Sequence, residues 1–171
     1  MSAKDLLKLI KDEDVAYVDI RFTDPRGKLQ HVTVIESEVD EDFLEEGFMF
    51  DGSSIAGWKS IEASDMKLMP DCDSAYIDPF YAEKTVCVHC SVVEPDTNEP
   101  YNRDPRGTAE KAEAYLKSTG IGDTAYFGPE PEFFIFDDIR FGQTYNEGYY
   151  HIDSSEGFWN AGRVENPDAA G

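Results

Sequence analysis

With 36 acidic residues against 15 basic ones in 171, the chain carries a formal net charge of −21. That balance repels nucleic acid and anionic membranes, and suits a protein whose carboxylates hold cations or keep it in solution. Apolar residues at 40% and aromatics at 13% supply a core and exclude wholesale disorder, and the length allows one domain or a small domain with part of another.

Residues 1–10 contain no apolar run of signal-peptide or membrane-span length. Three cysteines, an odd count, argue against a disulfide framework and for a reducing cytoplasm. Ser2 and Asp5 form an N-cap pair ahead of Leu6, Leu9 and Ile10 at helical spacing, which predicts a short helix ending near Asp12. Residues 15–22 then alternate, with Ala16, Val18, Ile20 and Phe22 on one face and Tyr17, Asp19 and Arg21 on the other. Asp24-Pro25-Arg26-Gly27 is a turn with proline second and glycine fourth, and a strand over 29–35 completes a predicted hairpin. Residues 39–46 predict a short helix stopped by Gly47.

Residues 48–58, Phe-Met-Phe-Asp-Gly-Ser-Ser-Ile-Ala-Gly-Trp, read as a shaped loop. Asp51 and Ser54 are its candidates for contacting a polar ligand; equally, Asp51-Gly52 reads as a plain turn capped by Ser53 or Ser54. Strands are predicted at 66–69, 75–77 and 85–93, and a helix crossing a small mixed sheet is an α+β pattern. Cys87 and Cys90 fall on opposite faces of the last of these strands, which favours core packing over chelation.

Residues 94–100 are turn-rich and mark the expected boundary between a domain over 1–100 and a second part over 101–171. Asp104 as N-cap and Pro105 at the first helical position open a helix that Gly120 closes. Residues 125–136, Ala-Tyr-Phe-Gly-Pro-Glu-Pro-Glu-Phe-Phe-Ile-Phe, predict a strand, because two prolines bias their own and the preceding backbone toward extended geometry. In a strand, Glu130 and Glu132 share a face with Cα atoms about 6.6 Å apart, a spacing at which each carboxylate can hold a different hard cation. A proline-rich linker or an acidic surface strand explains the same residues. A further strand is predicted around 149–152, and 158–171 reads as an unfinished loop without apolar periodicity.

Two segments together carry a resemblance. Phe50-Asp-Gly-Ser-Ser54, followed by Gly57-Trp-Lys59 and Ser64-Asp-Met-Lys-Leu68, resembles the N-terminal signature of the glutamine synthetase family. Phe127-Gly-Pro-Glu-Pro-Glu-Phe133 resembles that family's metal-binding strand, and Asp19–Val34, with Asp24-Pro-Arg-Gly27, and Asn102–Arg106 resemble its bacterial type I class. The resemblance is collinear and covers nearly the whole chain. It implies a fold that is α+β: an N-terminal β-grasp-like domain, then the incomplete start of the catalytic α+β domain.

It also implies ATP-dependent joining of glutamate and ammonium through γ-glutamyl phosphate, with Mg²⁺ or Mn²⁺, in a cytoplasmic homo-oligomer. The family's form is a dodecamer, with each active site between the catalytic domain of one subunit and the N-terminal domain of its neighbour. Carried over by position, Glu132 binds the metal near the glutamate and Glu130 the metal near the nucleotide phosphates. Asp51 binds ammonium and takes a proton across the subunit interface, Ser54 lines the same site, and Trp58 packs toward the neighbour. The remaining metal ligands, substrate-binding arginines and most of the ATP site have no counterpart before Gly171, so the chain alone is expected to be inactive. Two other functions fit the residues: a ligase joining glutamate to an amine such as a polyamine, and a non-catalytic acidic interaction module.

Overall fold

Ser2 accepts from the Asp5 N–H while the Asp5 carboxylate accepts from the Ser2 N–H, and this reciprocal cap starts helix α1 (Ala3–Asp12). The computed structural model describes residues 1–160; packing divides the chain into a unit Met1–Ala125 and a second unit beginning at Tyr126.

In the first unit α1 is followed by the antiparallel hairpin β1 (Tyr17–Thr23) and β2 (Leu29–Ile35). Asp24 secures its turn: one carboxylate oxygen accepts from the N–H groups of Arg26 and Lys28, both at 2.9 Å, and Gly27 takes φ 82°. Helix α2 (Glu41–Glu46) is capped by Asp40 and ends at Gly47. Gly47 has φ 87° and ψ 176°, a region open essentially to glycine alone, and a Cβ there would meet the Leu68 carbonyl oxygen at 2.6 Å. Strands β3 (Phe48–Asp51), β4 (Asp65–Pro70), β5 (Tyr76–Ile77) and β6 (Thr85–Val93) follow, then helix α3 (Pro105–Thr119).

The strands form a mixed six-stranded sheet in the order β2-β1-β6-β4-β3, with β5 also on β6. β6 is central: it runs parallel to β1 (Val18 opposite Val86) and antiparallel to β4 (Leu68 opposite Val92). Val18, Ile20, Met66, Leu68, Val86, Val88 and Val92 are fully buried and pack with Leu6, Ile10 and Leu44 of α1 and α2. Cys87 and Cys90 are buried within β6, Cys90 in this core, as their opposite faces required. Asp104 caps α3 as expected, accepting from the Arg106 N–H with one oxygen and from the Val92 N–H of β6 with the other. α3 packs on β1 and β6, so in spatial packing the 94–100 turns lie inside the first unit.

Beyond exposed Tyr17, the charged residues on the polar face of β1 do not face water. Asp19 is 0% exposed, and its carboxylate accepts from Arg21 Nε (2.7 Å) and Thr33 Oγ1 (2.6 Å) and pairs with His31 Nδ1 (2.7 Å). Arg21 continues to the Tyr76 hydroxyl (2.8 Å) and to Asp78 (3.1 Å). Opposite charges two residues apart on one face close over each other, so the charged half of the alternation is roofed by the segment around β5.

The second unit contains the antiparallel hairpin β7 (Asp138–Gln143) and β8 (Gly148–Asp153) and a short turn at Phe158–Asn160. The predicted strand near 149–152 is β8; its partner β7 went unread, although Ile139 and Phe141 alternate with Asp138 and Arg140. β3 falls in the 48–58 stretch whose sequence predicts a loop. The predicted strand over 125–136 is not a strand: among the described residues it has no ladder partner. Pro129 and Pro131 withhold two amides, and extended bias alone pairs with nothing. Local extension persists at its end, where Phe134 and Phe136, two apart, stack at 6.2 Å and 5°. Of the loop predicted over 158–171, residues 161–171 lie outside those described.

Candidate active site

Asp51 ends β3, an edge strand of the sheet paired to β4, with Asp51 directly opposite Asp65. From there residues Gly52–Ser54 make a single 3-10 turn. Asp51 itself caps this turn: its Oδ1 accepts from the Ser53 N–H (2.8 Å) and from the Ser53 hydroxyl (2.6 Å). The serines therefore do not cap; Ser53 donates, and Ser54 is exposed beside it. The Ser53 hydroxyl first, then its N–H, and Ser64 as well, hold the Asp51 carboxyl below its ordinary 3.8 against the upward push of burial. Asp51 is thus an exposed anion whose position is set by the turn it caps.

Like charges directly opposite in an antiparallel pair disfavour the pairing, and Asp51 and Asp65 stand in that relation. A cavity of about 690 Å³ on the Asp65 side, which Asp51 does not line, is bordered by Glu62, Asp65, Glu94, Asp96 and Glu99 with one cation, Lys59. This concentration of carboxylate favours cations. Gly52 makes the close turn possible: its N–H donates to the Ser64 carbonyl (2.7 Å), and an added Cβ would lie 2.4 Å from Sδ of the fully buried Met66.

Trp58 does not project toward a neighbour. It is 5% exposed, with its ring 5.4 Å from Phe22, 6.2 Å from Phe50 and 5.5 Å from Tyr101, inside its own core. The apolar residues that bracket the loop, Phe50 and Trp58, thereby hold it down rather than reach outward.

Glu130 and Glu132 belong to the second unit, and each unit is described by itself. Both are exposed, and among the described residues neither makes a hydrogen bond or ion pair. No group of three His, Cys, Asp or Glu arranged to hold a metal ion occurs among the described residues. Carboxylate oxygen is the donor that hard divalent cations take, so the two uncommitted carboxylates fit as part of a ligand set and fall short of a full octahedral one.

Residues 14–95 match the family model for the glutamine synthetase β-grasp domain, and residues 102–169 match that for the glutamine synthetase catalytic domain. The chain is 74% identical over 156 residues to the glutamine synthetase of Cereibacter sphaeroides, covering 91% of this chain and 33% of that protein. To that of Rhodobacter capsulatus it is 71% identical over 161 residues (94% and 36%), and to that of Escherichia coli K12 55% over 161 residues (94% and 34%). The chain therefore spans about a third of the length of these relatives. Among solved structures, Plasmodium falciparum glutamine synthetase superposes with a TM-score of 0.67 at 23% identity, over 90% of this chain and 30% of that one. GmaS in its ADP complex gives 0.61 at 20% identity, over 67% and 26%. These two likenesses concern the fold. The two family models in collinear order, with the mixed sheet and the identities above, make the chain a member of the glutamine synthetase family.

Proposed function

We propose that the protein, at the length of its relatives, joins glutamate and ammonia into glutamine. The γ-carboxylate of glutamate attacks the terminal phosphorus of ATP and releases ADP; ammonia then attacks the acyl phosphate carbon and releases phosphate. The observation that supports this most is the collinear match of both domain models, with Asp51–Ser54 inside the first and Glu130 and Glu132 inside the second.

In this reading Asp51, held below 3.8 by its hydrogen bonds and so ionised at neutral pH, attracts ammonium and takes a proton from it, which frees ammonia to attack. Ser54, exposed on the same turn, lines that site. Glu132 would hold a Mg²⁺ or Mn²⁺ ion on the glutamate side and Glu130 one on the phosphate side, with further donors from residues beyond those described. Such ions, when bound, offset the charge that builds up in phosphoryl transfer.

The protein would act in the cytoplasm as a homo-oligomer, a dodecamer in the family, with sites shared between subunits and with the division at about residue 100 separating the two contributions. Among the described residues no helix is long and apolar enough to cross a membrane, and Cys72, Cys87 and Cys90 are free thiols.

A second reading has one observation in its favour: the carboxylate-lined cavity at Asp65, the strand partner of Asp51, would also accept a larger cationic amine. Assaying the full-length protein with ATP, glutamate and Mg²⁺, and with either ammonium or a polyamine as acceptor, separates the two. Glutamine formation with ammonium is expected; turnover with the polyamine alone would replace the first reading by the second.

A further inference from the structure

We propose that Tyr101 and Arg103, with the Lys59–Glu94 pair, form a clasp that positions the Asp51–Ser54 turn, and that Arg103 is thereby a positioning residue for ammonium capture. The inference deepens the glutamine-forming reading and rests on it.

The turn, Gly52–Ser54, opens a stretch that is pinned at both ends. Its start is held where Gly52 donates to the Ser64 carbonyl and sits against Met66. Its end is held by side chains that arrive from the segment after β6. The Tyr101 hydroxyl donates to the Trp58 carbonyl (3.1 Å), and Arg103 Nη1 donates to the carbonyls of both Gly57 and Trp58 (3.4 Å to the latter). Lys59, the next residue, is fixed between the Glu94 carboxylate (2.8 and 3.0 Å) and the face of the Tyr101 ring (5.2 Å).

The segment doing the holding is itself tied to the sheet. The Tyr101 N–H donates to the Val92 carbonyl (2.9 Å), and buried Asp104 accepts from the Val92 N–H (3.0 Å). A continuous set of contacts thus runs from central strand β6 through residues 101–104 to carbonyls 57 and 58. Asn102–Arg106, which resembled the family without a stated role, acquires one here: Asp104 caps α3, Arg106 pairs with Asp71, and Arg103 reaches the loop.

Arg103 is exposed, so its hydrogen bonds contribute little to global stability, as exposed charged contacts generally do. What they govern is the path of the main chain at a glycine: Gly57 has φ 86° and no side chain of its own to pack, so its carbonyl takes its hold from Arg103 while buried Ile55 and Trp58 anchor the residues on either side. Between the two pinned ends lie half-buried Ser53 and exposed Ser54, and exposed Asp51 immediately precedes the first pin; these are the groups that would meet the cation.

The test compares full-length wild-type, Arg103→Ala and Arg103→Lys proteins, by steady-state kinetics and by hydrogen exchange over residues 52–58. Arg103→Ala is expected to raise KM for ammonium about 10-fold, the scale of one charge-assisted hydrogen bond. KM for glutamate and kcat at saturating ammonium should stay within about twofold, exchange at 52–58 should quicken, and Arg103→Lys, which keeps a donor, should recover most of the loss. An unchanged ammonium KM, or equal rises for every substrate, overturns the positioning role. Should wild type itself form no glutamine, the functional reading fails, and unchanged exchange at 52–58 would then overturn the clasp separately.

Discussion

Alanine in place of Glu132 is expected to lower kcat of the full-length protein at least ~100-fold, the cost typical of removing a group that stabilises charge in a transition state. Glu130→Ala should lose as much, with KM for the metal–ATP complex rising too, because that carboxylate is assigned to the phosphate side. Stability should not follow activity. Both carboxylates are exposed and make no hydrogen bond or ion pair among the described residues, so either change should leave unfolding free energy within about 0.5 kcal/mol. Parallel assays and urea melts read the two quantities. A kcat within threefold of wild type would remove both glutamates from the metal site.

The largest stability effect is expected at Asp19. Asp19→Ala should cost about 3–5 kcal/mol, the range for breaking a buried ion pair from one side. The substitution strands Arg21, whose side chain is 13% exposed, with Asp78 as its remaining carboxylate, and deprives Thr33 and His31 of an acceptor. Burial pushes the Asp19 carboxyl up, but hydrogen bonds from Thr33, Arg21 and His31 outweigh it and leave the group below its ordinary 3.8.

The direction with pH follows from that shift. The unfolded chain binds the proton more tightly, so the contribution is complete above about pH 5 and is lost as pH falls through the lower folded value. Asp19→Asn keeps the shape without the charge and should flatten the acid limb of a stability–pH curve measured by urea unfolding. A cost below about 1 kcal/mol at pH 7 would mean that the network is not holding this face together.

Much of the first unit was legible because its signals are local. Alternation and the Asp24-Pro-Arg-Gly27 turn sufficed for the β1–β2 hairpin, and Asp104-Pro105 with Gly120, at φ 68°, bounded α3. β3 escaped because Phe48-Met49-Phe50 is apolar at every position, which hides the period of two, although it is this strand that delivers Asp51. The stretch over 125–136 misled in the opposite sense: proline fixes φ one residue at a time, whereas a strand exists only through a partner.

The candidate site was half legible. Asp51 and Ser54 stood out as a turn among bulky residues, but the direction of capping depended on which side chain reaches which amide. Arg103 could not be found from sequence, since its partners are main-chain carbonyls 45 and 46 residues away and any residue type supplies a carbonyl. Asp19 and Arg21 were assigned to the right face, yet only the segment around β5, distant in sequence, turns that face into an interior.

In the proposed glutamine-forming assembly the Asp51 turn of one subunit would complete the Glu130–Glu132 site of the next. Subunit complementation tests it most directly. Full-length Asp51→Ala and Glu132→Ala proteins, each nearly inactive alone, are co-assembled by mixing before refolding or by co-expression. Random assembly places an unaltered turn against an unaltered carboxylate pair at about a quarter of the interfaces of a cyclic ring, so activity should return to roughly that fraction of wild type. Mixed assemblies no more active than the separate variants would contradict a site shared between subunits.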